Sequence, residues 1–386
     1  MNRKINESLD FHKLRPPVIR YLDNKGNILD ENAYPEPEGK KAMIVRYGAI
    51  GDMIFVSHLP RLLKEQGYYV VLNTQDTGAK IMMHNPYIDE VWFQDRDVIA
   101  NQHLGEYWEK LSEGFDRFIN LSQSIERRMC VCANNNVTEE YPEWVNRRDE
   151  NYYDITMELA GFPEQKGLNG ELYFTEQEEE RAALFIEDFK DNFKVMIVPA
   201  GSAFSKAWPW WDIVFNDEGV YQKAPEMVTI SLGDDWGRLL DWEHKRHYNG
   251  CGKLTLRESL LLTKHADLVI GPDTGVINAA GSFGVPTICL LGQTSINNIS
   301  KNWKNNYSVQ SPSECSPCYR IIYDRDHCPL GKHSSNCVCM EELKPHLVIR
   351  QIKKVYDTWK YMKGFRIVTP EEHRREPQQC QQLPTL

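Results

Sequence analysis

The sequence predicts an α/β fold built from two successive parallel sheets, and three observations lead there. From Lys41 onward, short apolar runs with β-branched centres alternate with stretches whose apolar residues recur at helical spacing. The alternation pauses at an acidic helical segment, TEQEEERAALFIEDF (175–189), and then begins again. The strands of the second series each end at a loop carrying glycine or polar residues, as expected where parallel strands present their carboxyl ends at one edge.

Taken in order, residues 1–40 are polar and rich in Pro and Asn, and read as an extension lying on a domain. MIVRYG (43–48) is a strand, AIGD a glycine turn, and MIFVSHLPRLLKEQG a helix that stops at Gly67. YYVVLNT (68–74), DEVWFQ (89–94) and FDRFINL (115–121) continue the first sheet. VMIVPAG (195–201), VTISLG (228–233), DLVIG (267–271) and TICLLG (287–292) make the second. Thr255 and Glu258 form a capping box that fixes the helix before DLVIG. Two Rossmann-like domains facing a central cleft follow, 41–190 and 191–342, with the boundary near 188–194. A final amphipathic helix occupies 343–363, and the polar tail 364–386 is expected to be disordered.

Composition narrows the function. Lys+Arg 45 against Asp+Glu 55 gives a net charge of -10, which excludes a surface that is basic all over and grips phosphate backbones or anionic lipid. The first residues hold charges throughout, and no stretch approaches the ~20 apolar residues of a membrane span, so a cytoplasmic chain without a transmembrane segment is expected. Its ten cysteines then read as free thiols or metal ligands.

In open parallel sheets, ligands bind outside the carboxyl ends of the strands. IGPDTGVINAAGSFGVP (270–286) runs from a strand into Asp273, Thr274 and Gly275, and small residues Ala279, Ala280 and Gly281 let the next helix lie close to the sheet. The N–H groups at that helix start, with the Thr274 hydroxyl, make a site for a diphosphate; alternatively Asp273 or Thr274 only caps the helix. In PAGSAFSKAWPWW (199–211), Gly201 and Ser202 offer backbone and hydroxyl, Lys206 offers a point charge, and Trp208-Pro209 begins the next helix. Asp52 closes the turn after Gly48 and is either a helix cap or a general base at the cleft mouth.

These loops, in this order and spacing, resemble the heptosyltransferase family of glycosyltransferases (family nine) over roughly residues 41–355. The resemblance rests on IVRYGAIGD, NPYIDEVW (85–92), FDRFINL, the run from Lys206 to Pro209, and ADLVIGPDTGVINAAGSFGVPTICLLG with the cysteine segment after it. It implies the GT-B fold, inverting transfer from a nucleotide-sugar donor without a catalytic metal, an acceptor-binding first domain and a donor-binding second domain. Carried over by position, Asp52 is the base, Gly201, Ser202 and Lys206 hold the donor phosphates, and Asp235 meets the ribose. Asp273, Thr274 and Gly275 surround the diphosphate and sugar. Asn278 stands where most relatives have histidine and donates only a neutral hydrogen bond, a departure that counts against an ADP-heptose donor but not against the diphosphate site.

Cys315 and Cys318 have zinc-knuckle spacing, and Cys328, Cys337 and Cys339 would complete a structural zinc site; reduced thiols are the other reading. For the acceptor, segment 126–153 mixes Arg127, Arg128, Arg147 and Arg148 with Tyr141, Trp144, Tyr152 and Tyr153, a set able to stack on a sugar or a flipped base. A lipopolysaccharide or other cell-surface glycan is the expected acceptor. Hydroxymethylated DNA, as viral glycosyltransferases modify, is the alternative, and a binding module without turnover is the third reading.

Overall fold

The computed structural model describes residues 19–27, 38–94, 99, 103–122, 124–125, 149–319, 328, 330 and 337–364. Arg127, Arg128 and Trp144 of the expected acceptor segment, and nearly all of the polar tail, lie outside the described residues.

Two sheets form. The first has the order β1-β4-β3-β2-β5, with β1 Ile19–Leu22, β2 Lys41–Val45, β3 Tyr69–Thr74, β4 Glu90–Gln94 and β5 Arg117–Asn120. Strands β2 to β5 are parallel, as the alternation predicts, because each pair is joined through a helical crossover. Strand β1 departs from the pattern. It comes from the polar extension and runs antiparallel on β4, with Ile19 opposite Gln94 and Leu22 opposite Val91, which covers the edge that β4 would otherwise leave bare.

The second sheet has the order β11-β10-β9-β6-β7-β8, all parallel. Its strands are β6 Phe193–Ile197, β7 Met227–Ser231, β8 His247–Asn249, β9 Leu268–Pro272, β10 Thr287–Leu291 and β11 Val309–Gln310. Strands β7, β9 and β10 are buried along their whole length, as strands covered on both faces should be. The short edge strands β8 and β11 were not foreshadowed by the hydrophobic pattern.

The helices used below are α1 Ile50–Val56, α2 Leu59–Glu65, α3 Asp76–Met82, α4 Leu104–Ser112, α5 Tyr152–Leu159, α6 Glu176–Glu187, α7 Leu256–Lys264, α8 Gly275–Ser282 and α9 Pro345–Gly364. The box at the start of α7 is present: Thr255 Oγ1 accepts from the Glu258 N–H at 3.3 Å, and Glu258 Oε2 accepts from the Thr255 N–H at 2.8 Å. Residues Trp211–Val214 form the helix after Lys206, so Trp208 and Pro209 precede it rather than open it. Trp208 is instead fully buried, its indole donating to the Leu343 carbonyl at 2.7 Å and so joining the loop after β6 to the segment before α9.

One apolar core runs through both sheets, because α1 packs on α8 and α6 packs on α7. Polar contacts reinforce the junction. Arg257 of α7 donates to Glu178 of α6 at 2.5 and 2.9 Å, to the Lys80 carbonyl at 2.9 Å and to the Tyr173 carbonyl at 2.8 Å. Asn151 caps α5 and also donates to the Asn297 carbonyl at 2.9 Å, which fastens the chain entering α5 to the short helix Ile296–Ile299 after β10. Tyr152 and Tyr153, expected to face an acceptor, are 4% and 0% exposed and pack edge-on against Phe55. They are core residues, since α5 directs its first turn into the junction. Among the described residues, no helix is long and apolar enough to cross a membrane.

Candidate active site

The Asp52 turn is shaped by Gly48. A Cβ there would lie 2.6 Å from Asp52 Oδ2, so only glycine lets the carboxylate fold back over its own turn. Asp52 is the third residue of α1, not its N-cap. Its Oδ2 accepts the Ala49 N–H at 2.8 Å, and Oδ1 lies 2.8 Å from a guanidinium nitrogen of Arg46. Capping and exposure therefore coexist, because the side chain remains 21% exposed while making both bonds.

On the other side, the loop after β6 meets the loop after β9. Lys206 Nζ donates to the Asp273 carbonyl at 2.7 Å and lies 3.6 Å from Asp273 Oδ2. A Cβ on Gly201 would sit 3.0 Å from Lys206 Cδ and 3.1 Å from Thr274 Cγ2, so Gly201 permits the two loops to close on each other. Ser202 is exposed beside it. Asp273 Oδ2 also accepts the Thr294 hydroxyl at 3.2 Å, a partner that carried no motif and is brought in by the turn after β10. Beneath the pair, the fully buried Cys289 thiol is pushed well above its usual range by burial and by the Asp273 carboxylate, which keeps it protonated and unreactive.

Thr274 is the N-cap of α8, with Oγ1 accepting the Ile277 N–H at 3.5 Å, so the capping reading of this residue holds. The remaining first-turn N–H groups have no partner within the helix, and the N-terminus of a helix carries the positive end of its dipole. Asn278 is 1% exposed, and its Nδ2 donates to the Thr274 carbonyl at 2.9 Å. It therefore braces the first turn of α8 from within.

The two halves touch at glycines. A Cβ on Gly275 would lie 2.1 Å from Ile50 Cγ2 and 2.9 Å from the Gly51 nitrogen, and one on Gly51 would lie 3.5 Å from Asn278 Nδ2. The turn bearing Asp52 thus abuts the helix start bearing Thr274. Asp235 sits apart, with a side chain 81% exposed and paired to Arg238 at 3.1 Å. Gly252, at φ +71°, lies under it where a Cβ would be 2.5 Å from Oδ1. The neighbouring Asp234 caps its own turn by accepting the Trp236 and Gly237 N–H groups at 3.1 and 3.2 Å, so the two acids do not form a paired metal site.

None of the five thiols of the cysteine segment is in a disulfide. Cys337 and Cys339 are buried in a separate apolar cluster that also holds Phe193, Trp208 and Leu343, and the Cys337 thiol is drawn below its usual range by hydrogen bonding with Cys339 and Cys328. Cys315 lies 3.4 Å from Ser313 Oγ. Among the described residues, which include all five thiols, no group of three or more His, Cys, Asp or Glu side chains is placed to hold a metal ion. As placed, these cysteines pack and hydrogen-bond.

Two Rossmann-like parallel sheets whose strand-end loops meet across a junction define a GT-B protein. The model of glycosyltransferase family 9 (heptosyltransferase) matches residues 134–326, half of the chain, and the protein belongs to that family. A lipooligosaccharide heptosyltransferase 2 of Campylobacter jejuni is 24% identical over 176 residues, covering 43% of this chain and 52% of that protein. The chain thus spans about half the length of that relative. A lipopolysaccharide heptosyltransferase 1 of Campylobacter coli is 22% identical over 340 residues, covering 76% of this chain and 98% of that one. The crystal structure of a family 9 glycosyltransferase from Veillonella parvula superposes with a TM-score of 0.61 at 14% identity, covering 84% of this chain and 99% of that one, which establishes the shared fold.

Proposed function

We propose that the protein is an inverting glycosyltransferase that moves a sugar from a nucleoside-diphosphate sugar to a hydroxyl of a lipopolysaccharide or other cell-surface glycan, without a catalytic metal. The acceptor is held by the half containing residues 41–190 and the donor by the half containing 191–342. The observation that carries this reading is the backbone contact between Gly51 and Gly275, which sets the Asp52 turn against the start of α8.

In this reading, Asp52 accepts the proton of the attacking hydroxyl as that oxygen bonds to the anomeric carbon, and the bond to the diphosphate oxygen breaks on the opposite face. One displacement inverts the centre. Negative charge gathering on the leaving diphosphate is met by Lys206, already held by the Asp273 carbonyl, and by the Ser202 hydroxyl, the Gly201 backbone and the first turn of α8. Asp235, at the exposed rim, accepts from the ribose hydroxyls.

The test is to offer ADP-, GDP- and UDP-sugars together with truncated core oligosaccharides, with and without EDTA, weigh the products and read their anomeric configuration by NMR. A glycosylated oligosaccharide of inverted anomeric configuration, formed equally with EDTA, is expected. Nucleotide binding without product from any pair would favour a binding module instead.

A further inference from the structure

Arg46 follows β2 and is fully buried, an expensive place for a guanidinium. Its backbone is pinned on both sides: the Arg46 N–H donates to the Asn73 carbonyl at 3.1 Å, and its own carbonyl accepts the Thr74 hydroxyl at 2.8 Å. One guanidinium nitrogen donates to the Leu121 carbonyl at 2.8 Å, just past β5. The other lies 2.8 Å from Asp52 Oδ1, and Asp52 is the partner that reaches solvent. A planar fork anchored at one tine to a strand end fixes the carboxylate gripped by the other tine. Stability alone does not call for this arrangement, since an apolar side chain of similar volume would fill the same space without a desolvation penalty.

We propose that Arg46 is a positioning residue for sugar transfer, holding the Asp52 carboxylate in the rotamer that presents its free lone pairs to the acceptor hydroxyl. Arg46 itself exchanges no proton. With Oδ1 held by Arg46 and Oδ2 by the Ala49 N–H, the carboxylate plane is set from both ends. Each oxygen keeps a second lone pair for the incoming proton. Lysine cannot reproduce this, because one ammonium serves as a point charge rather than as two fixed donors.

The inference rests on Asp52 being the base, and the experiment separates the two. Nucleoside diphosphate release from ADP-, GDP- and UDP-sugars with truncated core oligosaccharide is measured for the wild type, Arg46→Met, Arg46→Lys and Asp52→Asn, and for each Arg46 change combined with Asp52→Asn. Folding is checked by circular dichroism. Arg46→Met should lower kcat by roughly 10²-fold with donor KM nearly unchanged, and Arg46→Lys should recover part of that loss. In the Asp52→Asn background, either Arg46 change should alter kcat by less than about twofold, because the group it positions is gone. If Arg46→Met does not fold, the Arg46→Lys pair carries the same comparison. An equal fractional loss in both backgrounds means a structural role only and overturns the proposal. So does an unchanged kcat in Arg46→Lys and Arg46→Met alongside an inactive Asp52→Asn. Full activity of Asp52→Asn, or no release from any donor, removes the base reading itself, and this inference with it.

Discussion

Asp52 lies 2.8 Å from a guanidinium nitrogen of Arg46, and the two differ sharply in exposure: the arginine side chain is 0% exposed and the aspartate 21%. The pair therefore straddles the boundary between the core of the first sheet and solvent. A charge that would be costly to bury alone is satisfied by one that solvent and substrate can reach.

Replacing Asp52 by Asn should lower kcat by roughly 10²–10⁴, the usual loss for a general base, while donor affinity measured calorimetrically with ADP, GDP and UDP stays within about twofold of wild type. The same change leaves Arg46 facing a neutral amide, and a stability loss of about 1–3 kcal/mol in urea unfolding should accompany it. An enzyme that keeps its turnover but loses that stability would reduce Asp52 to a capping residue.

Lys206 offers a different signature. Its Nζ is held by the Asp273 carbonyl at 2.7 Å, so the ammonium is already in place before any phosphate arrives. Lys206→Ala should weaken nucleoside diphosphate binding and lower kcat by roughly 10²–10³, the loss expected when one fixed group facing developing charge is removed. Lys206→Arg should restore binding better than turnover, because its longer planar head cannot occupy the same point beside Asp273. Equal affinity of wild type and Lys206→Ala for every diphosphate would remove this residue from the site.

Much of this arrangement is visible in the chain. The β-branched runs at 43–48, 68–74, 195–201 and 287–292 each contain a strand, and the Thr255 and Glu258 pair marks the start of α7, because these signals depend on neighbours within a few residues. What escapes depends on partners far along the chain. Tyr152 and Tyr153 look like binding residues because aromatic rings serve cores and surfaces equally well, and only the packing of α5 against Phe55 decides between them. Arg46 lies inside IVRYGAIGD, yet nothing local marks its role, which depends on Leu121, 75 residues away. Strand β1 is invisible for a related reason: four residues of a polar extension become a strand only because β4 offers them an edge.

The junction predicts its own sensitivity. Alanine is worth up to ~1 kcal/mol more than glycine in a helix interior, so a Gly→Ala change on an open helix face should stabilise. Gly105 lies on an open face in the first turn of α4, with nothing within 4 Å of an added Cβ, so the gain there should be a fraction of that. Gly275 in α8 is the opposite, its Cβ meeting Ile50 Cγ2 at 2.1 Å and the Gly51 backbone nitrogen at 2.9 Å. Gly275→Ala should therefore lower both the melting temperature and kcat by forcing the Asp52 turn away from α8, whereas Gly105→Ala should raise the melting temperature slightly and leave kcat alone. Equal behaviour of the two variants would mean that the glycine contact does not align the halves.

The last prediction concerns acid stability and His58, which is fully buried between α1 and α2 with neither ring nitrogen hydrogen-bonded. Burial, with a smaller contribution from the nearby Arg61 charge, lowers its pKa from the usual 6.5 to about 3. Between those two values the folded protein keeps His58 neutral while the unfolded chain takes up a proton, so the unfolded state binds more protons and stability falls as the pH falls. The slope approaches about 1.4 kcal/mol per pH unit from this one residue, beginning just below pH 6.5. His58→Phe removes the titration and two unsatisfied nitrogens while keeping a ring against Tyr153, whose centroid lies 5.8 Å away. Urea midpoints measured from pH 6.5 down to 4.5 should decline less steeply in His58→Phe than in the wild type, with the two curves diverging toward acid. Parallel curves would mean that His58 is protonated in the folded protein at those pH values and that its burial is relieved by a partner or by local opening.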